Sequence, residues 1–192
     1  KVQSAINTRT FSSNLDFSAI AEVTFRSQMN NQKWIYFDLF EDLSVDSLFW
    51  DNGIKATYFR GKENEEMWVE CLPALNVGDV RTLKLFYHGE LIERDEMGWL
   101  VIKSSSNWYP RYDWRDKAMF ELTFKTPKRF RFVSVGENVT NSTVDEVTTS
   151  TWVTRFPIRN ASFNIGLFKE FKFEDERVPP IVVLMSEAGH ER

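Results

Sequence analysis

Apolar residues recur at every second position in short runs along most of the chain. Leu83, Leu85 and Tyr87, for example, alternate with Lys84 and Phe86. A period of two is typical of a β-strand, whose successive side chains point to opposite faces. The segments that share this character are 19–25, 34–40, 45–49, 55–59, 67–72, 80–87, 99–103, 118–124, 130–135, 147–156, 162–168 and 181–185.

The spacing of these runs predicts an all-β fold. Roughly a dozen short strands about 8–15 residues apart are typical of a β-sandwich or an open barrel of mostly antiparallel sheets. Asp51-Asn52-Gly53 lies between two apolar runs and is the strongest hairpin-turn signal in the chain. Through 169–177, charged residues alternate with Phe171 and Phe173, which predicts a strand with a solvated face. No window shows convincing helical periodicity.

Composition and charge narrow the class of protein. The chain has 192 residues, enough for one domain with a sizeable core, and 15% of them are aromatic. Its net charge of −4 gives no basic excess, so we expect no nucleic-acid partner. No segment approaches the roughly 18 apolar residues of a membrane span. No apolar segment follows Lys1, so we expect no signal peptide there, and trimming of a longer protein is compatible with this start.

Potential metal ligands and nucleophiles are scarce. Cys71 is the single cysteine, and His88 and His190 are the only histidines. The sequence contains no H-E-x-x-H, no Gly-rich phosphate loop and no G-x-S-x-G turn. We therefore expect no cofactor, no metal site and no catalytic residue in this chain, and we expect Cys71 to be a buried apolar residue.

One irregular segment concentrates aromatic and charged residues. Residues 104–117 contain Trp108, Tyr109, Tyr112 and Trp114 in a stretch too irregular for a strand. One interpretation is a platform that binds sugar or peptide. The other, which we favour from spacing alone, is that the aromatic rings anchor a long surface crossover to a sheet.

A set of short motifs in a fixed order resembles the N-terminal domain of the aminopeptidase N-like zinc metallopeptidases, a gluzincin family. The resemblance begins with Trp108-Tyr109-Pro110, Asp113 and the strand that starts at Lys117. It covers roughly residues 18–185, and no single motif in it is specific. The other motifs are Leu43-Ser-Val-Asp-Ser-Leu48, Leu83-Lys-Leu-Phe-Tyr-His-Gly89, Thr126-Pro127, Val133-Ser-Val-Gly136, Thr151-Trp-Val-Thr154 and Phe163-Asn-Ile-Gly-Leu-Phe168.

The resemblance implies a saddle-shaped, mostly antiparallel β domain that packs against a thermolysin-like catalytic domain. Zinc and its H-E-x-x-H ligands would belong to that catalytic domain, outside this chain. The implied organisation is a lead-in over 1–17, a β domain over 18–178, and a final strand and linker over 179–192. The implied partners are the protein's own C-terminal catalytic domain and a peptide substrate. Residues expected at the substrate cleft or domain interface are Trp108, Tyr109, Pro110, Asp113, Trp114 and Lys117.

Two departures from the family pattern leave the parent protein's activity open. Arg111 occupies the position of the usual Cys. Residues 99–104 lack the carboxylate or amide with which the family's exopeptidases bind a free amino group. A parent without exopeptidase or any peptidase activity is therefore an alternative. A further alternative is a free-standing carbohydrate- or protein-binding β-sandwich that uses the loop from Trp108 to Trp114.

Overall fold

The computed structural model describes residues 1–8, 15–61, 64–95 and 100–186. Within these ranges the chain forms fifteen β-strands and no helix, which confirms the all-β prediction. No described segment is therefore a helix capable of crossing a membrane. The strands are β1 Val2–Thr8, β2 Leu15–Arg26, β3 Gln32–Asp38, β4 Leu43–Trp50, β5 Tyr58–Arg60, β6 Glu66–Leu75, β7 Val80–Arg94, β8 Leu100–Ile102, β9 Glu121–Pro127, β10 Arg131–Ser134, β11 Glu137–Val144, β12 Val147–Val153, β13 Phe163–Gly166, β14 Phe168–Asp175 and β15 Val178–Ser186.

The largest sheet has eight strands. Seven follow the order β11-β12-β9-β1-β2-β7-β4, and β8 pairs with β7. All neighbours are antiparallel except β1 and β9, which are parallel. Within the segment assigned above to a lead-in, Val2–Thr8 thus form a strand, β1, at the middle of the sheet. The apolar alternation of β1 is weak because Ser4, which is buried between Val2 and Ile6, is polar.

Three smaller sheets complete the domain: β3-β6-β5, β10-β13 and β14-β15. The first two pack their inner faces against the large sheet. Phe37 of β3 contacts Phe25 of β2, with ring centroids 6.1 Å apart, and Phe163 of β13 lies 5.3 Å from Phe124 of β9. These residues belong to one continuous hydrophobic core, which positions the irregular segment described below.

Local predictions from the sequence agree with the structure at several positions. The backbone N–H of Gly53 donates to the Trp50 carbonyl, and Gly53 has a φ of 79°, so the predicted turn is present after β4. Cys71 is buried, as expected. The predicted strand in 169–177 is β14, and the run 181–185 lies in β15. The run that begins at Trp99 includes one residue outside the described ranges.

Strand β11, like β1, has no counterpart in the sequence prediction. All residues of β11 are exposed, and its sequence is rich in Asn, Ser and Thr rather than alternating apolar residues. It is a strand because its backbone pairs with β12 over nearly its whole length. Pairing with a neighbour, rather than burial of one face, defines this edge of the sheet.

Candidate functional site

The aromatic segment 104–117 crosses the end of the β3-β6-β5 sheet and is tied to it by backbone hydrogen bonds. The Asp38 N–H donates to the Arg111 carbonyl at 2.7 Å, and the Arg111 N–H donates to the Asp38 carbonyl at 2.9 Å. Beyond the segment, Ala118 makes the same reciprocal pair of bonds with Ile158. These bonds fix both ends of the stretch that contains Asp113, Trp114 and Lys117.

Trp108 lies fully inside the core. Its ring packs edge-to-face against Phe163 and Phe17, at centroid distances of 5.1 and 6.2 Å. Its indole N–H donates to the Ala161 carbonyl at 2.6 Å, and the Tyr87 hydroxyl donates to the Trp108 carbonyl at 3.1 Å. Trp108 therefore fixes the segment from within.

Tyr109 and Pro110 are buried as well. The Tyr109 ring lies 5.3 Å from Phe120, and its hydroxyl accepts a hydrogen bond from the Ala161 N–H. Burial raises the pKa of the Tyr109 hydroxyl above its ordinary value. The interpretation that aromatic rings anchor the crossover is correct for Trp108 and Tyr109, so these two rings are not available to a surface platform.

The remaining aromatic residues of the segment, Tyr112 and Trp114, are exposed. Tyr112 is 44% exposed and contacts Tyr36, whereas Trp114 is 65% exposed and has the Arg115 guanidinium 5.5 Å from its ring centre. Between them, Asp113 accepts a hydrogen bond from the Arg115 N–H, which lowers the pKa of its carboxyl. The described ring contacts of Tyr112 and Trp114 are therefore with different neighbours.

A groove of about 600 Å³ lies between this segment, β2 and β3. Three of the six predicted site residues, Tyr109, Pro110 and Lys117, line it, whereas Trp108, Asp113 and Trp114 do not. Apolar side chains such as Phe25 line part of the groove, and the exposed cation Arg26 also borders it. The structure thus brings half of the predicted set to one concave surface.

The solvent-facing side of the β3-β6-β5 sheet carries a row of aromatic rings that the sequence analysis did not identify. Tyr36 of β3 and Phe59 of β5 both lie opposite Trp68 of β6. The ring centroids of Tyr36 and Trp68 are 5.3 Å apart, and Tyr112 extends the row at 5.0 Å from Tyr36. We call Phe59, Trp68, Tyr36 and Tyr112 the aromatic row. In the sequence, the aromatic row is indicated only by aromatic residues at alternate positions of three separate segments.

A second exposed apolar surface lies on the hairpin formed by β14 and β15. Phe173 pairs with Ile181, and Val183 and Met185 follow on the same face of β15. Phe173 is 60% exposed and Ile181 54% exposed. We call the side chains of Phe173, Ile181, Val183 and Met185 the hairpin face.

The described residues contain no cluster of side chains that could bind a metal ion. In ranges 1–8, 15–61, 64–95 and 100–186, no three His, Cys, Asp or Glu side chains are grouped so that they could hold an ion. These residues therefore do not fit a zinc site.

Comparison of the structure with solved structures finds the M1 zinc metallopeptidases. A mutant of the Deinococcus radiodurans enzyme matches with a TM-score of 0.70 and 17% identity, over 95% of this chain and 45% of that one. The mutant bound to a Tyr-Ser-Ala substrate matches with a TM-score of 0.68 and 17% identity, over 91% and 43%. The two-domain mutant bound to L-tryptophan matches with a TM-score of 0.70 and 17% identity, over 95% and 45%.

These matches confirm the fold that the sequence resemblance implied, that of an N-terminal domain of such enzymes. The chain spans less than half the length of the structures that it matches. No protein-family model matches the chain, and no curated protein matches it by sequence.

Proposed function

We propose that this chain is the N-terminal β domain of an M1-like metallopeptidase, where it caps a catalytic domain and forms one wall of the cleft for a peptide substrate. The shared fold supports this proposal, as does the two-domain organisation of the matched enzyme. Zinc and the groups that act on the peptide bond would belong to the catalytic domain. The contribution of this chain would be binding energy and exclusion of water.

The observation that carries the proposal is the hairpin face. A two-stranded hairpin is marginally stable in water unless an apolar face packs against another element. Here Phe173, Ile181, Val183 and Met185 are all exposed on a sheet that has two strands among the described residues. An ion pair between Arg131 of β10 and Glu170 of β14 links the hairpin to the rest of the domain. A covering catalytic domain would bury this face.

The cleft-wall role is proposed for the groove beside the aromatic segment. Tyr109 and Pro110 give it a rigid border, because both are held by the core. Lys117 is exposed at the same groove and makes no ion pair with another described residue, so its ammonium can contact an anionic group of a peptide. Trp114 and Asp113 are proposed for the neighbouring interface.

The experiment is to express the catalytic region of the parent protein separately and to titrate it with this chain by calorimetry. We expect association, and we expect the double variant Phe173→Ser/Ile181→Ser to abolish it. Val144→Ser is the matched control, because Val144 is 67% exposed on β11 and should leave association unchanged. No association at high micromolar concentration, or equal loss in the control, would contradict the proposal. Binding of a glycan through Trp114 would instead favour a free-standing binding module.

A further inference from the structure

Carboxylates flank the aromatic row on both sides. Asp38 and Glu66 lie opposite each other, two residues along their strands from Tyr36 and Trp68. Glu70 lies two residues beyond Trp68 in the other direction. Side chains two residues apart on a strand share a face and are separated by about 7 Å. A group bound over Trp68 would therefore have a carboxylate on either side.

Asp38, Glu66 and Glu70 make no ion pair with any residue in the described ranges. The pKa of Asp38 is raised, first by burial and then by the negative charges of Glu66 and Glu65, while Arg111 opposes the shift. The surface around the row therefore favours a positively charged group.

The exposed π faces favour the same kind of group. Phe59 is 66% exposed and Trp68 39% exposed, and neither has a cation from this chain over its ring among the described contacts. An Arg or Lys side chain over an aromatic face is attracted by the ring quadrupole, and nearby carboxylates add charge attraction. A neutral sugar would use the rings but not the charge of the carboxylates.

The length of the row indicates a peptide rather than a single cation. Phe59, Trp68 and Tyr36 lie on three adjacent strands, and Tyr112 follows, so the row is about 15 Å long. Alternate side chains of an extended peptide are about 7 Å apart, so two cations of one segment reach the row together. We propose that the aromatic row and its flanking carboxylates bind an extended segment of a partner protein rich in Arg or Lys. This inference does not rest on the proposed domain role, although Tyr112 at one end of the row also lines the groove described above.

The test is to titrate the chain with a peptide of about eight residues in which Arg and Ser alternate. Binding is measured by tryptophan fluorescence and by calorimetry. The matched peptide has Glu in place of Arg. We expect only the Arg peptide to bind, with affinity that falls as salt is added. Trp68→Ala should weaken binding about tenfold. Glu66→Gln/Glu70→Gln should also weaken binding and reduce its salt dependence.

Phe156→Ala is the control, because Phe156 is 74% exposed and lies outside the aromatic row, and this variant should bind the peptide normally. If circular dichroism shows that Trp68→Ala does not fold, the Glu66→Gln/Glu70→Gln variant tests the proposal instead. Both of its substituted side chains lie on the outer face of the small sheet. Equal binding of the Glu peptide, absence of binding, or an unchanged affinity in the charge variant would overturn the proposal. Binding of a neutral oligosaccharide in preference to the Arg peptide would also overturn it.

Discussion

Strand β9 and the β14-β15 hairpin have the same alternating pattern and opposite environments. In β9, Leu122 and Phe124 are fully buried beneath the smaller β10-β13 sheet and the aromatic segment. In the hairpin, Phe173 and Ile181 are more than half exposed. Alternation therefore predicts a strand in both places but does not say whether its apolar face is covered.

On the proposed domain role, the difference separates the part of the chain that is stable by itself from the part that a partner would stabilise. Around β9, a ring cluster that includes Trp108 and Phe163 fills the space between sheets. The hairpin has cross-strand pairs but little cover, and such elements open at low free-energy cost. We expect substitutions in the two regions to have correspondingly different effects on folding.

The largest effect is expected for Trp108→Ala. It removes a fully buried ring and the hydrogen bond to the Ala161 carbonyl, so the free energy of unfolding should fall by about 3–5 kcal/mol in urea titrations. Phe173→Ala is the matched substitution in the hairpin and should cost less than about 1 kcal/mol. If the two variants lost the same free energy of unfolding, the two regions would not differ in stability as we expect.

Substitution of one arginine in each region tests the same difference in stability, and the expected change in the free energy of unfolding is smaller. The Arg60 guanidinium donates to the carbonyls of Leu39, Phe40 and Leu43 at 2.5–2.8 Å, and burial lowers its pKa. Arg60→Met removes the guanidinium from all three carbonyls, although the Phe40 carbonyl keeps the Leu43 N–H, so we expect a loss of about 2 kcal/mol in the free energy of unfolding. Arg177→Met, in the turn of the hairpin, should show no measurable change. A tolerated Arg60→Met would show that these bonds do not hold the loop after β3.

The smallest effect concerns Asp38, whose pKa is raised by burial, Glu66, Glu65 and Asp113 against the opposing charge of Arg111. A carboxyl with a raised folded-state pKa adds stability below its unfolded pKa, and that stability is lost as pH rises through the folded pKa. Asp38→Asn should therefore increase the free energy of unfolding by a few tenths of a kcal/mol near about pH 7, because solvent screens this half-exposed group.

At about pH 3, below both pKa values, the variant and the parent chain should be equally stable in the same urea titration. A stabilisation that is the same at both pH values would show that ionisation of Asp38 is not its cause.

The sequence was sufficient for most strands but not for their assembly. Leu83, Leu85 and Tyr87 alternate so clearly that β7 is predictable, whereas β1 and β11 lack continuous alternation because polar residues interrupt them. Their positions depend on pairing with distant strands, which no local pattern specifies.

The candidate site shows the same limit. Trp108 and Trp114 are the same residue type six positions apart, yet one is fully buried and the other is 65% exposed. The aromatic row joins residues of β3, β5, β6 and the segment after β8, and only the register of the small sheet brings Tyr36 and Phe59 to Trp68. Strand register follows from the packed core and is not visible in the separate segments.

Hydrogen exchange of the hairpin amides tests the central claim most directly. The chain is compared alone and with the separately expressed catalytic region, and exchange is followed in β9, β14 and β15. We predict slow exchange in β9 in both samples, and fast exchange in β14 and β15 that becomes slow when the catalytic region is added. Hairpin amides as protected as those of β9 in the isolated chain, or unchanged by the catalytic region, would contradict the account.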